Sequence, residues 1–69
     1  MTGQQLKDYL DQNGMVKRQL ALDMGISRQS LNQYFSAKSI STEVLEAVAD
    51  ALNTQPEVIY KEMRDAGIL

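Results

Sequence analysis

Arg28, Gln29, Asn32 and Gln33 stand within six residues of one another. Their side chains carry forked donors and acceptors. An Arg fork matches two acceptors side by side, and the amide of Asn or Gln offers a donor beside an acceptor. At spacings of i, i+1, i+4 and i+5 they share one side of a helix. From Arg28 to Ser36 the outward positions read Arg, Gln, Ser, Asn, Gln, Ser. A helix face meant only for solvent usually carries Glu–Lys pairs, and this one has none. Such a face suits the edges of bases in a DNA major groove. An idle polar surface is the competing reading.

Charge is distributed in the same sense. Between residues 17 and 38, Lys17, Arg18, Arg28 and Lys38 face a single acid, Asp23, a net of +3. The remainder of the chain carries −5, for an overall −2. This asymmetry suggests one face for a polyanion. The acidic total predicts weak non-specific affinity.

Other chemistries find little support. The 69 residues include no Cys and no His. A disulfide framework and a thiolate metal site are excluded, and the commonest general base and metal ligand is missing. No carboxylate cluster suggests a metal, so no cofactor is expected, and enzyme is the least supported class. No stretch approaches the ~20 apolar residues of a membrane span, and the N-terminus lacks a signal-peptide apolar run. The protein is expected to be soluble and cytoplasmic.

The elements that must position the polar face are helical throughout. Thr2 with Gln5 forms a capping-box pattern ahead of the Leu6, Tyr9, Leu10 stripe, and Gly14 stops that helix. A second helix is predicted over about Lys17 to Met24, with Leu20, Ala21 and Met24 inward and Gly25 at its end. Ser27 caps a third, Arg28 to about Ser36, whose inward residues are Leu31, Tyr34 and Phe35. Ala37 to Ser41 is a loop. Ser41 caps a fourth helix carrying Leu45, Val48, Ala49 and Leu52, closed by Asn53. Pro56 opens a fifth, with Val58, Ile59 and Met63 apolar. Its cap is Thr54, in a box with Glu57, or Gln55. Residues 65 to 69 are a tail expected to fray beyond Gly67, disordered or docked on a partner copy. The chain is therefore expected to be one all-α domain over residues 1–69.

Only Gly25, Ile26 and Ser27 separate the second helix from the third, which forces a steep crossing. Ala21 is small where the helices meet, and Leu20 and Leu31 pack across the angle. With Ala21, Gly25, Ile26, Ser27, Leu31, Tyr34 and Phe35 in these places, the segment 17–36 resembles a helix-turn-helix of the lambda-repressor/Cro type. Ile40-Ser41 with Val44 to Leu52 resembles that family's fourth helix, and Pro56 to Tyr60 its fifth. The likeness runs over roughly residues 3 to 63 and implies a compact five-helix, lambda-repressor-like DNA-binding domain.

The resemblance also implies roles. Arg28 and Gln29, the first residues after the recognition-helix cap, would reach base edges, with Asn32 and Gln33 next on that face. Lys17 and Arg18 begin the helix that abuts phosphates. Ser27 and Ser30 lie at the start of the recognition helix, where free N–H groups suit phosphate. Ser36, Lys38 and Ser39 occupy the loop that follows the backbone. Val16 departs from the pattern, standing where relatives commonly carry a Ser or Thr cap. The reading is a sequence-specific double-stranded DNA-binding transcriptional regulator. It would work as a homodimer, weakly associated off DNA, on a two-fold symmetric operator. A chain ending after the fifth helix would be Cro-like, with no small-molecule ligand. The alternative is a helix-turn-helix protein-interaction module, such as an antitoxin, co-regulator or inhibitor, that does not read bases.

Overall fold

The computed structural model describes all residues, Met1–Leu69. Five helices follow one another: α1 Gly3–Gln12, α2 Lys17–Met24, α3 Arg28–Phe35, α4 Thr42–Ala51 and α5 Pro56–Asp65. No strand is present. The sequence punctuation explains most of the boundaries. The Thr2 hydroxyl accepts from the Gln5 N–H at 3.1 Å, and the Gln5 side chain accepts from the Thr2 N–H at 2.8 Å, completing the capping box. Ser27 and Ser41 cap α3 and α4 by accepting from the N–H groups of Ser30 and Val44. Gly25 closes α2 in the left-handed region, at φ 70°, where the missing Cβ removes the steric cost. Asn53 adopts the same region at φ 55° beyond α4.

One core holds the helices together. Leu6, Tyr9 and Leu10 of α1, Leu20 and Ala21 of α2, Leu31 and Phe35 of α3, Leu45, Val48 and Ala49 of α4, and Ile59 and Met63 of α5 are all buried. Each helix contributes the inward positions of a 3.6-residue repeat. Helix α2 packs on α3 and α4, α1 on α3, and α4 on α5. Ile26 and Tyr34 are half-buried against this core, as their places beside the turn and on α3 require.

One local alternative is decided and two local expectations change. The cap of α5 is Gln55, which makes no side-chain bond, so the Thr54–Glu57 box does not form. Val58 is 40% exposed and does not belong to the buried face of α5. Ile59 and Met63, four apart, point inward, and Val58 lies about 100° round the helix from Ile59, so it turns away from the core. The tail does not fray at Gly67. The Ile68 N–H donates to the Met63 carbonyl at 2.9 Å, and the Ile68 carbonyl accepts from the Gln5 side chain at 3.2 Å. Ile68 packs against the core of its own chain.

Candidate nucleic-acid interface

Helix α3 turns Leu31 and Phe35 into the core and leaves Arg28, Gln29, Asn32 and Gln33 exposed. Their orientation follows from the burial of the other stripe. Gln29, Asn32, Gln33 and Ser36, with Ala37, line one open hollow on the surface. Amide and hydroxyl groups dominate it, and it holds no carboxylate. No hydrogen bond occupies the side-chain amides of Gln29, Asn32 or Gln33, and neither Arg28 nor Lys38 has a carboxylate within ion-pair distance. The face is thus free to meet a partner with its own donors and acceptors.

The hydroxyls around it are partly committed. Ser27 Oγ donates to Ser30 Oγ at 3.0 Å while accepting from the Ser30 N–H. Ser36 Oγ donates to the Asn32 carbonyl at 3.2 Å, replacing the left-handed closure seen after α2. Arg18, Ser27, Ser36, Lys38 and Ser39 are exposed, and Ser30 is half-buried. Lys17 is half-buried too, and its ammonium is engaged: Nζ donates to Asp11 Oδ1 at 2.8 Å. The Lys17 hydrogen bond is the main reason the Asp11 carboxyl is held below the usual carboxylate range, with the charges of Lys17 and Lys7 acting the same way. Val16, at the head of α2, makes no side-chain cap.

A family model described as Helix-turn-helix matches residues 6–59, which takes in all of α2, the turn and α3. The chain belongs to the lambda-repressor/Cro-type helix-turn-helix family. It is a DNA-binding helix-turn-helix regulator by that membership. No curated protein and no solved structure matches the chain significantly. Within this helix-turn-helix protein, α2, Gly25–Ser27 and α3 form the motif, and α1, α4 and α5 buttress it. No helix is long and apolar enough to cross a membrane.

Two residues of this helix-turn-helix domain bear on the face and were not singled out by sequence reasoning. Gly3 is buried against the C-terminal end of α3. A Cβ there would overlap the Tyr34 carbonyl oxygen and lie 2.6 Å from backbone atoms of Phe35. Its N–H donates to the Ala37 carbonyl at 2.9 Å, and the Ile40 N–H donates to the Met1 carbonyl at the same distance. The N-terminal residues therefore brace the loop that carries Lys38 and Ser39. The signal was a glycine at the first position of a helix, where other residues are better formers. Asp11 is the other, and its link to Lys17 crosses a turn that helical spacing does not describe.

Proposed function

We propose that the protein is a sequence-specific transcriptional regulator of double-stranded DNA, inserting α3 into the major groove. Arg28, Gln29, Asn32 and Gln33 are the base readers. Lys17, Arg18, Ser27, Ser30, Ser36, Lys38 and Ser39 meet the phosphate backbone. The observation that carries this reading is the exposed α3 face, where uncharged amides with free donors and acceptors border a hollow without a carboxylate. Asn and Gln pair in bidentate fashion with adenine N6 and N7, and Arg with guanine O6 and N7. The domain, one unit over residues 1–69, acts as a homodimer. One short recognition helix buries too little surface for tight specific binding, and two copies reading half-sites roughly 34 Å apart supply the rest. The fifth helix and the tail, where Val58, Tyr60 and Leu69 are exposed apolar residues, supply the contact between copies.

Selection of bound sequences from a random DNA pool tests the function. A short two-fold symmetric motif is the expected outcome. An unenriched pool with the domain folded would favour the protein-interaction reading, for which the exposed carboxylates Glu43, Glu46 and Asp50 on α4 would suit a basic partner. Sedimentation with the selected DNA tests the dimer. Two protomers per site are expected, and one would refute it.

A further inference from the structure

The molecule contains two ion pairs, and both converge on Asp11: Lys17 Nζ lies 2.8 Å from Oδ1 and Lys7 Nζ 3.8 Å from Oδ2. Of the four basic residues between positions 17 and 38, Lys17 alone has a carboxylate at its charge. The pair joins the last turn of α1 to the first residue of α2. We propose that Asp11 is a positioning residue for DNA binding, a counter-charge that holds the Lys17 ammonium back from the phosphate backbone and limits affinity for every sequence alike. The inference rests on the reading of Lys17 as a phosphate contact.

The effect is electrostatic. An ammonium has three donors, so Lys17 can reach a phosphate without releasing Asp11. A carboxylate then stands within roughly 5 Å of a phosphate, since each lies a hydrogen-bond length from the same nitrogen. Two like charges at that separation repel even in water, by an amount worth about fourfold in binding at low salt. If Lys17 instead swings clear, the ion pair is broken and the carboxylate remains nearby. Either route weakens binding. The Lys17 Nζ–Asp11 Oδ1 hydrogen bond of 2.8 Å lies at the surface, so the counter-charge stands directly at the ammonium a phosphate would approach. No other basic residue of the α2–α3 segment carries this restraint.

The test measures binding to a short random-sequence duplex by fluorescence anisotropy across a salt series. Four proteins are compared: the parent, Asp11→Asn, Lys17→Ala and the double variant. Asp11→Asn is expected to tighten binding about fourfold per protomer at low salt. It should also steepen the log–log salt slope by about 0.9 for each Lys17 released. Lys17→Ala is expected to weaken binding, and Asp11→Asn to tighten it less in the Lys17→Ala background than in the parent, because Lys17 no longer draws a phosphate to the carboxylate. Asp11→Ala repeats the measurement with a second uncharged side chain, and circular dichroism reports the fold of each. If Lys17→Ala weakens binding but neither Asp11 variant tightens it, the inference is overturned and the phosphate role of Lys17 stands. Equal tightening by Asp11→Asn with and without Lys17 would also overturn it, since Asp11 would then act as a general charge. If Lys17→Ala binds like the parent, the phosphate role itself falls, and the inference with it.

Discussion

Gln29 and Lys38 are both exposed, one on α3 and one in the loop after it, and the proposed function gives them two different ways of meeting DNA. In the proposed reading the Gln29 amide pairs with a base edge, and it carries no charge. Gln29→Ala is expected to cost about 1–3 kcal/mol on the selected site and to relax preference at one base pair per half-site. Binding to random DNA should not change. Lys38 has no carboxylate partner, and as a phosphate contact its charge would serve any sequence. Lys38→Ala is expected to weaken all duplexes alike and to flatten the salt slope by about 0.9 for each phosphate no longer neutralised. Anisotropy titrations on specific and random duplexes distinguish the two. An unchanged site preference in a folded Gln29→Ala protein would remove α3 as the reader. Both candidate roles were legible because residue type and helical spacing are local properties. The commitment of Lys17 to Asp11 was not, because it depends on how α1 approaches α2.

The ends of the helices set where these side chains sit. Val16 has the extended backbone of an N-cap, φ −81° and ψ 116°, yet its side chain accepts nothing and is 60% exposed. Val16→Ser supplies the missing acceptor and sacrifices little burial. It is expected to stabilise the domain by about 1 kcal/mol in urea denaturation. An unchanged midpoint would mean that water already satisfies the first N–H groups of α2. Gly3 carries the opposite constraint. A methyl group there meets backbone atoms of Tyr34 and Phe35, which cannot rotate away as a side chain can. Gly3→Ala is expected to cost about 3 kcal/mol and to lower the denaturation midpoint accordingly. The neighbouring Thr2–Gln5 box could be foreseen from the chain, but the approach of Gly3 to α3 could not, because it spans some thirty residues.

The two ends of the molecule are tied by Tyr9 of α1 and Glu62 of α5. The Tyr9 hydroxyl donates to Glu62 Oε2 at 2.5 Å. Burial, and then this bond to a carboxylate, push the Tyr9 phenol up to about 12. The fold therefore favours the protonated phenol. Its stabilising effect is complete below about pH 10, where the unfolded phenol titrates, and disappears as pH rises through about 12. An ultraviolet titration is expected to show a late tyrosinate phase near pH 12 that Tyr9→Phe abolishes. Between those two values the denaturation midpoint of the parent should fall more steeply than that of the variant. A late phase that persists in Tyr9→Phe would assign it to another tyrosine.

Five helices, their order and most of their ends were determined by the chain alone. Caps such as Thr2, Ser27 and Ser41, the stop at Gly25 and the apolar repeats are interactions among residues a few positions apart, so local chemistry suffices to read them. The polar face of α3 belongs with these, since burying Leu31 and Phe35 dictates which side chains remain outside. Tertiary structure decided the rest. Val58 turns outward because the packing of Ile59 and Met63 sets which side of α5 is buried. The tail lies on α1 because Ile68 finds apolar surface and the Gln5 amide there. Asp11 reaches Lys17, and Gly3 touches α3, through distances that exist only once the helices have packed, and no spacing along the chain encodes them.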